Sequence, residues 1–591
     1  MLKRSVRRLS VFGLALSVLA CIAAGCGSVP PDVDELTFVP LPDTPVASPA
    51  TQITVRGAGA GQVQGLTVIG SRSGIHRGRL VNDRDAPAAT FAPDTAFEPG
   101  EEVRVSFHVA GRSRQISYRF GIAQEAQVDF QAGPPAQPTR PGQVQHFHSR
   151  PDLRPPTVRV TERSSATARG DIFIGPANKL GQAGPMIVDD DGNPVWFHPL
   201  PGKLQAFGFR KQVYRGKPVL TWWQGVVSSL GYGRGEDVIY NTSYRRIATV
   251  HAADGYAADL HEFVITPQNT ALITAFDPVQ ADLSSLGGSR QGVVLDCVLQ
   301  EVDIRTGGVL FEWHSLGHVG LDESYNKPGK GQPFDYFHLN SIAVDRDGNL
   351  IISARNTWTV YKLDRRTGRI LWRLGGKRSS FTLAPGTAFA YQHDAQPDPD
   401  GTITVFDNGG NPRVHPESRG IDIALDTETM TASLVHQWTH PRKLIANSQG
   451  NVQTLANGDR FIGWGGDPDL TEFSPDGRVV FDAAMADPDT SYRAYRFPWR
   501  AKAPGRPAVA VSSAGPGTAT VYVSWNGATD VAAWRILAGP NAQSLIPVGQ
   551  APRTGFETRT EVVTSEPFLA AEALSRSGKV LGVSAPVARG G

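Results

Sequence analysis

Residues 334–363 read FDYFHLNSIAVDRDGNLIISARNTWTVYKL. Two apolar runs flank an Asp/Gly/Asn turn at residues 345–349, and this pattern predicts a β-hairpin. His338 and Asn340 are two residues apart, so on a strand they face the same side. Arg355 follows the second run and faces them from the neighbouring strand. The stretch predicts a sheet that carries a histidine, an amide and a cation on one surface. Polar residues that simply face water are the alternative.

The same arrangement of strand, Asp/Thr/Gly turn and strand ending in an aromatic residue recurs along the chain. The turns at Asp303, Asp364 and Asp426 are about 60 residues apart. Shorter copies begin at Asp190 and Pro475. Radial repetition of four-stranded sheets removes exposed sheet edges. We therefore predict a β-propeller of about six blades over residues 170–500, with an irregular set of sandwiches as the alternative.

The composition favours an all-β protein. Glycine (63) and proline (44) are abundant, and short Val/Ile/Thr/Phe runs are bounded by Asp-Gly, Asn-Gly and Pro. The last part of the chain, with Trp525 expected on a strand, resembles a fibronectin type III module. The predicted division is a Pro-rich tether at 26–50, a β-sandwich at 51–135, a linker at 136–169, the propeller at 170–500 and a second β-sandwich at 506–590.

The first residues have the features of an export signal. A basic start, an apolar run and small residues precede Cys26. This is typical of a bacterial lipoprotein signal at residues 1–25, with Cys26 as the acylated residue; a plain secretory signal is the alternative. We expect an exported cell-envelope protein, held by lipid at the outer face of the membrane or in the periplasm. Only Cys297 then remains in the mature chain, which excludes an intramolecular disulfide.

Charge and motifs exclude several classes of function. The formal net charge is +2 with interspersed signs, which does not suggest a nucleic-acid partner. No CxxC pair, no GxxxxGK[ST] loop and no strand-to-helix GxGxxG is present. We predict no metal and no cofactor.

Three histidines occupy equivalent positions in the repeats. His261, His338 and His393 each follow an acidic or aromatic lead-in and each precede a strand, an Asp or Asn turn and a second strand. In a propeller, such residues from distant blades face one central channel. A structural role is the alternative for any one histidine, but the shared position favours a common site.

Several motifs together are similar to those of the bacterial arylsulfotransferase (ASST) family. They are DYFHLNS at 335–341 with the returning Arg355, DLHEF at 259–263 and QHD at 392–394. The resemblance implies an exported six-bladed propeller enzyme that moves a sulfuryl group from a phenolic sulfate ester to another phenol. It implies that His393 is the nucleophile that forms a sulfohistidine, and that His261, His338, Asn340 and Arg355 hold the sulfate. The WWQG phrase at 222–225 suggests a divergent branch.

The chemistry of these residue types agrees with those roles. A neutral imidazole is a good nucleophile, and an arginine offers a planar, permanently charged donor set to sulfuryl oxygens. One alternative is a non-catalytic binding propeller on the cell surface. The other is a metal-dependent hydrolase that uses the three histidines, although Arg355 would oppose a cation and no HExxH is present.

Overall fold

The computed structural model describes residues 36–82, 87–130, 132–133, 138–177 and 180–589. Every regular element in these ranges is a β-strand, apart from two short 3-10 turns at Ser284–Leu286 and Leu321–Glu323. The all-β prediction is confirmed. The predicted signal segment and Cys26 lie outside the described residues. Within those residues, no helix has the length and apolar character needed to cross a membrane.

Residues 37–121 form two four-stranded sheets that share one apolar core. The strand Glu102–Val109 shows the alternation that builds this core, because Val103, Val105 and Phe107 are fully buried while Arg104 is exposed. The strands are β1 Thr37–Val39, β2 Ile53–Arg56, β3 Val63–Gly70, β4 Gly74–Ile75, β5 Gly78–Asn82, β6 Ala88–Pro93, β7 Glu102–Val109 and β8 Ile116–Gly121.

The predicted tether at 26–50 overlaps this sandwich. Strand β1 lies inside that range and pairs with β2. Leu36 and Ala47 are buried in the same core, and Val39 is also buried. The apolar side chains between the prolines therefore belong to the first domain, which proline content alone does not reveal.

The middle of the chain forms six sheets, each built on four antiparallel strands. In five of them the recurring turn joins the third strand to the fourth. At Asp303, for example, Oδ1 accepts the backbone N–H groups of Arg305 and Thr306, both at 2.8 Å. This side-chain turn explains why the motif repeats in the sequence.

The strands of this region fall into the orders β12-β11-β10-β34, β13 to β16, β17 to β20, β21 to β24, β25-β29-β28-β27-β26 and β30-β31-β32-β33-β9. Their bounds are β9 Val158–Arg163, β10 Asp171–Pro176, β11 Met186–Val188, β12 Pro194–Phe197, β13 Gln205–Tyr214, β14 Lys217–Val227, β15 Gly233–Tyr240, β16 Arg246–Val250, β17 Phe263–Ile265, β18 Thr270–Ala281, β19 Gly292–Asp303, β20 Val309–His314, β21 Leu339–Val344, β22 Leu350–Ala354, β23 Thr359–Leu363, β24 Ile370–Gly375, β25 Thr382–Leu383, β26 His393–Pro397, β27 Ile403–Asp407, β28 Arg419–Asp426, β29 Thr431–Trp438, β30 Asn451–Thr454, β31 Arg460–Gly463, β32 Asp469–Phe473, β33 Val479–Met485 and β34 Ser491–Phe497.

One strand of each sheet contributes to a single cavity of about 1110 Å³. We call these six the lining strands: β13, β17, β21, β26, β30 and β34. Neighbouring lining strands contact one another in chain order. The last of them, β34, pairs with β10 at the start of the region, so one sheet joins both ends of the chain segment.

The predicted linker at 136–169 is not wholly a linker. Strand β9 lies within it and pairs with β33 as the outermost strand of the sixth sheet. Its alternating sequence VRVTER supplies the N–H and C=O groups that cover this edge.

Residues 508–588 form a three-stranded and a five-stranded sheet over a second apolar core. Trp525 was expected on a strand but follows the end of β36. The tryptophan buried in this core is Trp534 on β37, whose side chain packs between the sheets. The strands are β35 Ala508–Gly515, β36 Thr518–Ser524, β37 Ala533–Gly539, β38 Ile546–Pro552, β39 Glu557–Val563, β40 Phe568–Leu574, β41 Val580–Val583 and β42 Val587–Ala588.

Candidate active site

The three histidines singled out in the sequence lie together at the beginnings of three consecutive lining strands. His261 precedes β17, His338 precedes β21 and His393 is the first residue of β26. The ring centroids of His261 and His338 are 4.7 Å apart in an edge-on arrangement. Tyr492 packs against both His261 and His393, with ring centroids at 5.7 Å and 6.5 Å. All three histidines are buried.

His338 and Asn340 do not share one face of a strand, contrary to the sequence-based expectation. His338 lies before the strand with a backbone φ of 60°, and β21 begins at Leu339. The Asn340 side chain instead donates from Nδ2 to the carbonyl of Gln392, at 2.7 Å. Its Oδ1 is buried and has no hydrogen-bond partner among the described residues. Asn340 therefore ties β21 to the residue that precedes His393.

Arg355 lies just after β22 and joins the site through a carboxylate. Its Nη2 is 3.3 Å from Asp335 Oδ2, and its Nε donates to Asn356 Oδ1 at 3.0 Å. The guanidinium carbon is 4.6 Å from the centre of the Tyr391 ring, a cation–π arrangement. The backbone N–H of Arg355 donates to the carbonyl of His338 at 3.0 Å, which brings the hairpin ends together.

Two of the histidines are backed by carboxylates. His338 Nδ1 is 2.5 Å from Asp335 Oδ2, and His261 Nδ1 is 2.5 Å from Asp259 Oδ2. Asp259 Oδ2 also accepts the backbone N–H of His261 and the hydroxyl of Thr274. Each carboxylate holds the proton on Nδ1, so Nε2 of the neutral ring carries the lone pair.

The third histidine is backed by an amide. His393 Nδ1 is 2.7 Å from Asn408 Oδ1. The Asn408 amide has one orientation, because its Nδ2 donates to the carbonyls of Ala446 and Gln449 at 3.0 Å and 2.9 Å. His393 Nδ1 must therefore donate, and Nε2 accepts the backbone N–H of Gln449 at 3.1 Å. Both ring nitrogens of His393 are engaged.

Burial and charge decide the protonation of the site. Burial, together with the Arg355 cation, lowers the pKa of His338 to about 4. The same two causes lower the pKa of His393 well below its usual value. Burial opposes ionisation of Asp259 and Asp335, but their histidine partners and hydrogen bonds lower the pKa of both carboxyl groups. The site thus contains the neutral imidazoles of His338 and His393, two carboxylates and the Arg355 guanidinium.

A buried ion network lies next to the histidines, because Glu262 and Asp394 directly follow His261 and His393 in the chain. Glu262 pairs with Arg210 at 2.7 Å and with Arg493 at 2.9 Å. Arg493 also reaches Asp394 at 3.4 Å and donates to the backbone carbonyl of Asn340 at 2.7 Å. Arg210 and Asp394 line the 1110 Å³ cavity, so this network separates the histidines from that cavity.

One group in the described residues has the spacing of a metal site, namely His440, Asp469 and Asp482. His440 Nδ1 accepts the backbone N–H of Arg442, so Nε2 carries the proton that faces Asp482 Oδ1 at 3.1 Å. The Arg442 guanidinium pairs with Asp469. The group thus supplies its own donors and cation, and its residues do not fit a metal ion.

The sequence reading did not assign roles to Asp259, Asp335, Asn408 or Gln449. The spacings Asp-x-His at 259–261 and Asp-x-x-His at 335–338 were visible signals for the two carboxylates. Asn408 and Gln449 are 15 and 56 positions from His393 and carry no local signal.

Comparison with known families adds to this geometry. Residues 210–486 match the model of the family described as Arylsulfotransferase (ASST). This part of the chain belongs to the arylsulfotransferase family. The predicted family membership is confirmed, and the matched arylsulfotransferase segment contains all three histidines together with Arg355, Asp259 and Asp335. No curated protein matches the chain.

Among solved structures, a protein of unknown function from Bacteroides caccae is similar, with 14% identity, 56% of this chain and 99% of that chain covered, and a TM-score of 0.34. An auxiliary nutrient binding protein from Bacteroides ovatus has 13% identity and a TM-score of 0.27, and the match covers 78% of this chain and 89% of that chain. A streptogramin B lyase has 11% identity and a TM-score of 0.27, and the match covers 55% of this chain and 87% of that chain.

Proposed function

We propose that the chain is an aryl sulfotransferase that works without a nucleotide. It takes a sulfuryl group from a phenolic sulfate ester, holds it on a histidine and passes it to a second phenol. The observation that carries this proposal is the buried cluster of His261, His338, His393 and Arg355 inside the segment that matches the arylsulfotransferase family.

The proposed architecture follows from the six sheets. We take them as the blades of a β-propeller, with the lining strands around a central channel and the histidines at one mouth. The N-terminal and C-terminal sheets would be accessory sandwiches. The protein would be exported and lipid-anchored through Cys26.

The residues match what sulfuryl transfer requires. The sulfur centre is attacked in line while charge spreads over its three peripheral oxygens. Arg355, with one side against Asp335 and its face on Tyr391, is a fixed donor set for those oxygens. A buried, neutral imidazole is a competent nucleophile, and the lowered pKa of His338 keeps it neutral over the physiological range. Asn340 positions the backbone beside His393.

A donor–acceptor screen tests the proposal. The purified mature chain is mixed with 4-nitrophenyl sulfate and a panel of phenols, and release of 4-nitrophenol is followed by absorbance. We expect release that depends on the acceptor, with ping-pong kinetics. Release that is unaffected by acceptor and abolished by a chelator would support the metal-dependent hydrolase instead. No release with any aryl sulfate would contradict the proposed activity and leave the binding propeller.

A further inference from the structure

A second, smaller pocket lies beside the histidines, and the transfer described above gives it no role. Its volume is about 530 Å³, a size that suits a small-molecule ligand. We call it the side pocket. Its walls come from four segments of the chain, at 127–129, 228–232, 283–293 and 329–333.

The side pocket meets the histidines at Gly231. Leu230 and Tyr232 line the pocket on either side of this glycine. A methyl group on Gly231 would lie 3.9 Å from His338 Cε1, so the loop passes directly over that ring. The Tyr232 ring stacks on Phe276 with centroids 5.6 Å apart, and Phe276 packs against His338 at 5.5 Å. A phenol whose oxygen reaches the histidines therefore has the side pocket next to it.

The wall at 127–129 follows the last strand of the N-terminal sandwich. The backbone N–H of Ala126 donates to the Pro278 carbonyl at 2.8 Å, and that of Gly133 donates to the Val227 carbonyl at 3.0 Å. The two acceptors lie on β18 and β14, so the described residues of this segment are held on two different sheets. The connection from the first domain thus supplies part of the pocket beside the histidines.

Most of the polar side chains in the side pocket are neutral. Asp129 is the only charged side chain among the described residues that line it. The three glutamines and Asp129 direct side chains into the pocket region without a hydrogen bond to another described residue. A carboxamide both donates and accepts, as a hydroxyl group does, and a carboxylate accepts from hydroxyl groups. The glutamines are Gln127, Gln291 and Gln332.

Apolar side chains complete the lining, among them Val128, Leu283 and Pro333. A sugar ring has hydroxyl groups around its rim and C–H groups on its faces, so it matches a wall of amides beside a wall of apolar groups. An anionic substituent would instead meet the Asp129 carboxylate with no lysine or arginine among the described lining residues to offset it.

We infer that the side pocket binds a glycosyl group, and that the substrate class is phenols that carry a sugar on the ring. This rests on the proposed function. The phenolic oxygen lies at the histidines, the aromatic ring passes Gly231, and the sugar enters the side pocket. Its hydroxyl groups bind the glutamines and Asp129, and its C–H face packs on the apolar wall.

Three acceptors separate the pocket from the chemistry. They are 4-hydroxyphenyl β-D-glucopyranoside, 4-methoxyphenol and 4-hydroxyphenoxyacetate, which share a para-alkoxy phenol and differ in what it carries. With 4-nitrophenyl sulfate as donor, kcat/KM for each acceptor is measured from initial rates. We expect the glucoside to exceed 4-methoxyphenol by about 30-fold, the gain from roughly two net hydrogen bonds, and the phenoxyacetate to be the poorest.

Variants locate the preference in the side pocket. Gln332→Leu should lower the ratio of kcat/KM for glucoside to that for 4-methoxyphenol by about 5-fold, the value of one hydrogen bond. Gln268→Leu is the matched control, because Gln268 is an exposed glutamine on the turn between β17 and β18, away from the side pocket. Its ratio should equal that of the parent protein. Asp129→Arg should raise kcat/KM for the phenoxyacetate relative to 4-methoxyphenol.

The contrary results are distinct. A ratio near one in the parent protein, or an equal fall in Gln332→Leu and Gln268→Leu, would overturn the glycosyl pocket and leave sulfuryl transfer standing. A preference for tyramine over the glucoside would assign the pocket to cations and overturn the inference. No transfer to any acceptor would overturn the proposed function. Calorimetric titration with the glucoside then decides the pocket: binding that Gln332→Leu weakens supports it as a glycoside site, and absence of binding overturns that too.

Discussion

The surroundings of His338 and of His393 differ in the hydrogen-bond partners that they give to two otherwise similar rings. His338 donates from Nδ1 to a carboxylate that also pairs with Arg355, and no described residue forms a hydrogen bond with its Nε2. His393 donates to an amide and has its second nitrogen capped by a backbone N–H. Both rings are neutral and buried, so burial and pKa do not tell them apart. The hydrogen-bond partners do, because they determine which lone pair is available.

Removal of the Arg355 cation is expected to have the largest effect on activity. Arg355→Ala should lower kcat/KM for 4-nitrophenyl sulfate by about 10³-fold, because the sulfuryl oxygens lose their charged donors in a site that excludes water. Arg355→Lys should recover only part of the lost kcat/KM, because the point charge of an ammonium group cannot replace the planar guanidinium.

A matched control is available on the same sheet. Arg373 also lies over a tyrosine ring and pairs with Glu323. Arg373→Ala should keep kcat/KM close to that of the parent protein. Equal losses in both variants, measured by initial rates, would place Arg355 outside the site.

The next effect concerns the second carboxylate-backed histidine. Asp259→Asn should slow transfer from phenyl sulfate by about 10²-fold, because in the proposed transfer His261 donates the proton that the poor leaving group needs. Transfer from 4-nitrophenyl sulfate should change far less. A plot of log kcat/KM against the pKa of the leaving phenol should therefore be steeper in the variant. Parallel lines would show that His261 does not protonate the leaving oxygen.

A smaller effect follows from the pKa of His338. The pKa of about 4 in the folded protein lies below the ordinary histidine value of 6.5, so the unfolded chain takes up a proton first as pH falls. The contribution of neutral His338 to the free energy of unfolding is fully present above pH 6.5 and is lost as the pH falls towards 4. At pH 5 the loss is about 2 kcal/mol. His338→Gln should flatten the decline in unfolding free energy between pH 7.5 and 5. An identical decline in both proteins, measured by chemical denaturation, would contradict the shift.

No effect is expected from reductant. Cys297 is a free, buried thiol whose Sγ accepts the backbone N–H of Leu339, next to His338. Activity and Tm should be the same with and without dithiothreitol, as thermal unfolding and initial rates can measure. A large loss in reductant would mean that a disulfide supports the site.

The comparison of the two histidines also shows which features of the fold and the site could be predicted from the sequence. The Asp/Thr/Gly turns and the short β-branched runs predicted an all-β chain, because both signals are local. The shared place of His261, His338 and His393 ahead of a strand predicted their meeting. Tertiary structure supplied the rest: the left-handed backbone at His338 broke the strand alternation, and Asn408 and Gln449 reach His393 only through folding.

The ion network formed by Arg210, Glu262, Asp394 and Arg493 bears on how substrates reach the histidines. Glu262 and Asp394 directly follow His261 and His393 in the chain, and Arg210 and Asp394 line the 1110 Å³ cavity, so these ion pairs lie between the histidines and that cavity. Under the proposed transfer, both phenols would then reach the histidines from the side away from this cavity. The first phenol would leave before the second enters, and a sulfuryl group bonded to a histidine would be held in the interval.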